Sequence, residues 1–409
     1  MKEHKLQLFK FGLYGFLKNL KFFEPFFILF FLEASLSLFL IGILYSIREI
    51  TIYIFEIPSG VIADKFGKKF ELVLCFMFYI LSFIIFFISQ RFIGFSIGMV
   101  LFGFGEAFRS GTHKAMIMSY IDYHQLKESK TKIYGLTRSY SLIGSMFSSI
   151  IAVILILYLP NLKYLFVIST IPYILDLILI LTYPKYLNER RESTFHLKTF
   201  IEANLHGIKY AFTKAKVRYA IFNASSYQAA FKVIKDYIQP LMIGLTLSIG
   251  FLISYSSDEQ SKIFIGLMYA IIYLLSSFAS KYAYTLKRLG DSKKIIRFMW
   301  LISGVSILTL TFFIDSLWMI MVVFILLYMM MNARRPIMVE VIGDVTDADQ
   351  RATVLSIESQ STSILIAIFA PLIGLIADYS LTWMLIVVSI SMCVIFILES
   401  IYALIERKD

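Results

Sequence analysis

Apolar segments of about 20 residues, the length at which a helix crosses a bilayer, recur from one end of this chain to the other. They are read over 11–33, 36–59, 70–90, 92–121, 133–159 and 162–183, and again over 217–247, 262–287, 294–314, 317–343, 353–377 and 382–404. A helix satisfies its backbone hydrogen bonds internally, so this recurrence predicts an all-α membrane protein with twelve transmembrane helices. Of the 409 residues 58% are hydrophobic, more apolar side chain than a soluble fold can use. The arrangement predicts an N-terminal six-helix half over 1–183, a polar linker over 184–216 and a C-terminal six-helix half over 217–409.

The formal charge of +11 does not point to nucleic acid, because the bases fall in particular loops rather than along one stripe. With the N-terminus inside, the outer loops carry only Arg91, Lys163 and Lys262. The inner loops carry Lys65, Lys68, Lys69, Lys185, Arg190, Arg191, Lys287, Arg288 and others. This asymmetry predicts that both termini are cytoplasmic. Met1 to Lys10 is polar and no small-residue cleavage site follows, so the first helix is expected to act as an uncleaved insertion signal. High Ile, Lys and Phe usage suggests an AT-rich bacterial genome, hence a bacterial inner membrane. The linker, from Asn188 to Lys216, reads as cytoplasmic and in part as an interfacial helix. Cys75 and Cys393 lie inside apolar segments, so neither a disulfide, a metal cluster nor a cofactor is expected.

An internal repeat supports the two halves. The first span contains Lys21-Phe22-Phe23-Glu24-Pro25 and the seventh Asp236-Tyr237-Ile238-Gln239-Pro240, which superpose on their prolines. Helix 4 ends in Arg109-Ser110-Gly111-Thr112 and helix 10 in Asn332-Ala333-Arg334-Arg335-Pro336. Between spans 2 and 3, Pro58 to Lys69 reads as a tight polar turn. Gly60 and Gly67 would allow close approach and a left-handed turn, and Asp64 would sit near the start of the next helix. The run Gly60-x-x-x-Asp64-Lys65-x-Gly67-Lys68-Lys69 resembles the G-x-x-x-D-[RK]-x-G-[RK]-[RK] loop between helices 2 and 3 of the major facilitator superfamily. That resemblance implies two pseudo-symmetric six-helix bundles working by alternating access, with Gly60, Asp64, Lys65, Gly67, Lys68 and Lys69 as a cytoplasmic latch. Arg334 and Arg335 are candidates for the gate of the second half, pairing with the acidic turn 344–349.

No Gly-rich phosphate loop, His pair with metal spacing or Ser/His/Asp set appears, so neither an enzyme nor an ATP-driven pump is expected. The informative residues are ionisable side chains inside spans, each costly unless paired or wetted. Lys21 and Glu24 in helix 1 and Lys235, Asp236 and Gln239 in helix 7 are candidates for a substrate or ion pathway. They could equally pair locally and serve only structure. Glu49 in helix 2 is a candidate proton carrier unless Arg48 holds it. Glu106 and Arg109 in helix 4 stand at i,i+3 spacing; the resemblance makes Arg109 a candidate for proton coupling or latching. A lone histidine, His113, reads as interfacial.

These readings converge on a monomeric secondary transporter in the lipid bilayer that carries a small-molecule substrate. Proton-coupled export of an amphipathic compound ranks first. Uptake or exchange of an anionic metabolite ranks next, since Lys21 and Lys235 could neutralise an anion. A receptor or scramblase with the transporter fold is the alternative from another class. Helix 5 lacks the Gly-Pro-rich pattern of the family's drug:proton antiporters, which counts against multidrug efflux as such.

Overall fold

The structure, a computed structural model, describes residues 2–124, 130–188, 209–210, 212–243, 245, 255–347 and 350–406. The regular elements among these are helical. They fall into two compact units, Met1–Leu36 with Ile43–Leu197, and Ser37–Gly42 with Lys198–Asp409.

The first unit holds α1 (Lys2–Lys18), α2 (Phe27–Glu33), α3 (Leu38–Phe66, from Ile43 onward), α4 (Lys68–Ile88), α5 (Phe92–Arg109), α6 (Thr112–Tyr123), α7 (Lys130–Tyr158) and α8 (Tyr164–Leu181). The second holds α9 (Ala215–Ile234), α10 (Ile238–Met242), α11 (Ser257–Lys281), α12 (Ser292–Thr311), α13 (Leu317–Val345), α14 (Arg351–Tyr379) and α15 (Leu381–Glu406). In the first unit α1 packs on α7, and α4 on α5 and α8. In the second α9 packs on α14, and α12 on α13 and α15. The same partners in the same order are what a parallel internal repeat produces.

Among the described residues, ten helices are long and apolar enough to cross a membrane. The first and seventh expected spans are not among them: both are broken, α1 is 17 residues long, and α9 carries Lys216, Arg218 and Lys232. After α1 the chain leaves the helix, makes a 3-10 turn over Glu24–Phe26 and resumes as α2. After α9 a 3-10 turn over Lys235–Tyr237 leads into α10. Pro25 and Pro240 each lack an N–H and press on the carbonyl four residues back, which belongs to Lys21 in one case and Asp236 in the other. The interruption therefore falls on the charged residues themselves. Side chains from α8 satisfy backbone groups that the first break frees: Phe22 N–H donates to Ser169 Oγ at 3.0 Å and Tyr173 Oη–H to the Lys18 carbonyl at 2.9 Å. Irregular backbone at membrane depth survives only with such partners.

The core of the first unit is aromatic. Phe23, Phe27, Phe30, Phe31, Phe83, Phe86 and Phe166 are all buried, and Phe23 stacks on Phe166 with centroids 4.5 Å apart. This phenylalanine content fills the bundle rather than lining a cavity.

The polar turn expected over Pro58–Lys69 is much shorter. Helix α3 runs through Pro58 and Gly60 to Phe66, so Asp64 lies in its last turn rather than at the start of the next helix. Ser-Gly-Val-Ile-Ala is compatible with helix, and Gly60 has open space around it rather than a closely packed neighbour. The turn is made at Gly67 alone, with φ of 99°. A Cβ there would adopt the left-handed region and run into the Asn188 side chain. Asn188 Oδ1 in turn accepts the Lys69 N–H at 2.9 Å. Lys69 Nζ donates to the carbonyls of Leu181 and Tyr183 at 3.1 and 2.7 Å, complementing the negative end of α8. Lys68 Nζ donates to Ser119 Oγ at 3.0 Å. These contacts all lie inside the first unit. Gly67→Ala is expected to lower the unfolding free energy by about 1–2 kcal/mol from the backbone strain alone. Gly67→Asn should cost at least as much, because φ 99° with ψ 150° lies outside the left-handed helical well that asparagine tolerates and the larger side chain also meets Asn188. Melting temperatures in detergent check both.

The first turn of α3 belongs to the second unit. Asp378, one residue before the end of α14, accepts the Leu38 N–H at 2.7 Å and the Phe39 N–H at 2.9 Å. Gly374, one turn earlier, allows the approach, since a Cβ there would meet the Leu38 carbonyl.

Near the start of α9, Lys214 Nζ donates to Asp347 at 2.7 Å and Tyr210 Oη–H to the same carboxylate oxygen at 2.9 Å. Hydrogen bonds from Lys214 and then Tyr210 hold the Asp347 carboxyl below its ordinary range. Its contribution is thus complete above that range and disappears as pH falls through the lowered value. Because the pair is exposed, Lys214→Met should change stability only slightly at neutral pH and not at all in acid. Residues 189–208, with most of the linker and its expected interfacial helix and with Arg190 and Arg191, lie outside the described residues.

Candidate functional site

In the first unit the break after α1 places Lys21 against α5. Lys21 Nζ donates to Glu106 Oε1 at 3.4 Å, and Arg109, one turn along α5, donates to Glu106 Oε2. Arg109 Nε–H also donates to Tyr79 Oη at 3.2 Å. Lys21 lies 5.0 Å from the Phe102 ring centre and 5.8 Å from that of Tyr79, within cation–π range. One carboxylate thus serves two cations against an aromatic wall. The side chains keep 15% exposure at Lys21, 18% at Glu106 and 29% at Arg109. Charged groups inside a bundle that retain such exposure face a space water can enter.

Lys21 therefore reaches across 85 residues to Glu106 rather than pairing with Glu24. Glu24 opens the 3-10 turn, its N–H bonded to the Lys21 carbonyl at 3.0 Å. Glu49, on α3, is buried and paired with Arg48 at 2.9 Å, so adjacent residues meet although their helical directions diverge. His113, read as interfacial, is instead enclosed: its ring stacks on Tyr14 at 3.5 Å and one ring nitrogen meets Tyr183 Oη at 3.1 Å. The turn at Ser110–Gly111, where Gly111 has φ of 79°, tips α6 inward and carries His113 with it.

In the second unit the matching break carries Lys235 and Asp236. Lys235 Nζ donates to Asp236 Oδ1 at 2.6 Å, and Tyr269 Oη–H, from α11, donates to the same oxygen at 3.1 Å. Gln239 is buried and its Nε2–H donates to Tyr269 Oη at 3.2 Å. Asp236, Gln239 and Tyr269 thus form one chain, with Lys235 at its exposed end.

Arg334 and Arg335, adjacent in sequence, are separated by the helix. Arg335 is exposed, whereas Arg334 is 2% exposed. Arg334 donates to Asn223 on α9 and to the Ile296 carbonyl on α12, and its guanidinium lies 4.2 Å from the Tyr227 ring centre. At the acidic turn, Asp347 is held by Lys214 and Tyr210 instead of the expected arginines. Arg334 braces the inside of its own unit.

Sequence reasoning missed the tyrosines Tyr79 and Tyr269, which carry no charge to signal them. Lys18 and Asp176 read from the sequence as ionisable residues inside the first and sixth spans, but the sequence alone does not rank them among the site residues. Asp176 had a usable signal: it is the one charged residue in the run Tyr164–Leu181.

The helical fold, the recurring break and the charged groups inside both units define a membrane transporter architecture. The family model described as "Major Facilitator Superfamily" matches residues 19–257 and 238–409, and the chain belongs to that family. A Bacillus subtilis (strain 168) protein, described as "Uncharacterized MFS-type transporter YxaM", is 25% identical over 229 residues, 55% of this chain. The match spans 56% of that relative's length. Among solved structures, the nucleoside transporter NupG aligns with a TM-score of 0.78 at 13% identity, over 97% of this chain and 99% of that one. A POT family transporter in complex with a thioalcohol-conjugated peptide aligns with a TM-score of 0.74 at 13% identity, over 97% and 95%. At such identities the likeness is one of fold.

Proposed function

We propose that this chain is a secondary active transporter of twelve spans, counting the two broken helices, which works by alternating access in a bacterial inner membrane with both termini cytoplasmic. Its transport is proton-coupled export of an amphipathic small molecule. The observation that carries this reading is the part-exposed group Lys21, Glu106 and Arg109 against Tyr79 and Phe102. It sets part-exposed charge against the enclosed rings of Tyr79 and Phe102, the mixture of polar and apolar lining that an amphipathic ligand requires. Lys235, Asp236 and Gln239 supply the equivalent group in the second unit. The Gly60–Lys69 loop is similar to one that drug exporters share with many other branches of the family, so the ranking of export above uptake does not come from the loop.

A second reading has an observation of its own. Lys21 and Arg109 outnumber Glu106 by one positive charge, which suits uptake or exchange of an anionic metabolite.

Proteoliposomes loaded with a pH-sensitive dye and screened with amphipathic cations, zwitterions and small anions test both. Proton movement evoked by an amphipathic compound, with sign opposite to its own flux and lost in Asp236→Asn, supports export. Anion exchange without proton movement favours the second reading. A receptor or scramblase would show neither.

A further inference from the structure

Three carboxylates inside the spans have a cation in contact: Glu106 has Lys21 and Arg109, Asp236 has Lys235, and Glu49 has Arg48. Adding a proton to any of them breaks an ion pair. Asp176 is different. It sits on α8, is 0% exposed, and neither carboxyl oxygen has a hydrogen-bond partner. A bare carboxylate charge with no donor in contact is among the costliest side-chain states in a bilayer interior, and a bound proton removes that charge.

The groups around it are few. From α1, Lys18 and Tyr14 lie within electrostatic reach of Asp176, and beyond the end of α8 so does Tyr183. On α4, which packs along α8, the titratable side chains turned into the bundle are Glu71, Cys75 and Tyr79. Glu71, also 0% exposed, is engaged on one oxygen only, by Thr112 Oγ1–H at 2.5 Å, Cys75 donates to the Gly105 carbonyl at 3.2 Å, and Tyr79 accepts from Arg109. On α7, Tyr140 lies against Gly12. Among the described residues, Lys18 is the one cation acting directly on Asp176. It also stands in the field of Arg109, Glu106 and Lys21, and so links Asp176 to the exposed charge group.

We propose that Asp176 is the carboxyl group that binds and releases the coupling proton, with Lys18 as the counter-charge for its carboxylate. This rests on the proton-coupled reading of the function. On release the Asp176 O–H bond breaks, the proton passes to water, and the carboxylate left behind is balanced by the Lys18 ammonium. No other bond changes. A swing of Lys18 toward Asp176 draws it away from Arg109 and Glu106, so proton release alters the field at the group proposed to meet the substrate. The short helix break after Lys18 leaves that end of α1 free of helical continuation.

The test uses the full chain in liposomes, with the proton itself as ligand. Infrared difference spectra between acid and alkaline buffer should show the carbonyl stretch of a buried carboxylic acid that disappears as pH rises. Asp176→Asn should remove this band, Asp176→Glu should move it without removing it, and Lys18→Gln should raise the proton affinity about tenfold. A wild-type spectrum without the band, or a band that Asp176→Asn leaves undiminished, overturns the assignment; Glu71→Gln identifies any part that Glu71 contributes. If the asparagine variant fails to fold, the shift in Asp176→Glu decides the same question.

Dye-loaded proteoliposomes then test coupling. Asp176→Asn should retain compound exchange and lose proton movement by at least about tenfold. Proton movement that persists in Asp176→Asn refutes this inference and leaves the transport reading standing. Wild-type protein that moves compounds without protons refutes the coupled reading, and with it the coupling role, whatever the infrared band shows.

Discussion

Glu106→Gln is expected to reduce transport by two orders of magnitude or more while leaving the chain folded. The carboxylate receives Lys21 across the bundle and Arg109 from its own helix, and glutamine leaves both cations without a counter-charge. Removing one member of a buried ion pair costs about 3–5 kcal/mol, and partial exposure of this group reduces that loss of stability. The remainder appears as altered affinity and altered occupancy of states, because the group no longer offers one charge pattern to the ligand. Two comparisons make the result specific. Glu106→Asp keeps the charge and shortens the reach to Lys21, so it should retain part of the activity. Lys21→Gln combined with Glu106→Gln removes a cation with the anion and should recover stability but not transport. A double variant with wild-type transport would show that these residues only brace the bundle.

Arg334→Ala is expected to be the most destabilising single change in the second unit. The guanidinium is enclosed by α9, α12 and α13, bonded to Asn223 and Ile296 and lying over Tyr227 and Trp300. Alanine leaves a cavity and an Asn223 carbonyl without its donor. The combined penalty is about 3–5 kcal/mol, enough to drop the melting temperature by many degrees or to prevent purification. Arg334→Met fills the volume without a buried charge and should regain much of the loss, as apolar replacements of buried ions often do. A gating role predicts the reverse, with transport altered in both variants and the melting temperature unchanged in both. Arg335→Ala, on the exposed side of the same helix, should leave stability within about 0.5 kcal/mol.

The apolar spacing and the asymmetry of loop charge made the helical fold legible, because both are summed over many residues. The two breaks were legible only in part: the sequence marks Pro25 and Pro240 beside charged residues at fixed offsets, but the apolar spacing runs through both prolines and reads each span as one helix. What escaped was direction around the helix axis. Arg334 and Arg335 differ by about 100° of rotation, and nothing in Asn332-Ala333-Arg334-Arg335 says which one turns inward. Lys21 and Glu106 are joined only by packing across 85 residues. The loop at 58–69 misled because its glycines suggested a broad turn, whereas only Gly67 has a backbone angle that needs one. One signal was present and unused: Gly374-Leu375-Ile376-Ala377-Asp378 repeats the pattern of Gly60-Val61-Ile62-Ala63-Asp64. The copy at the end of α14 is the one whose aspartate receives two backbone amides.

Those two amides have a kinetic consequence. The first N–H groups of any helix lack an acceptor within it, so Leu38 and Phe39 owe their protection from solvent exchange to a single carboxylate on a distant stretch of chain. Their deuterium uptake is therefore a clock for one event, the parting of Asp378 from the start of α3, and is independent of slower unravelling elsewhere. Under the alternating access proposed above, uptake at these positions that quickens with turnover would time the parting of Asp378 from Leu38 and Phe39. Uptake that stays flat would show the turn travelling with α14 through the whole cycle.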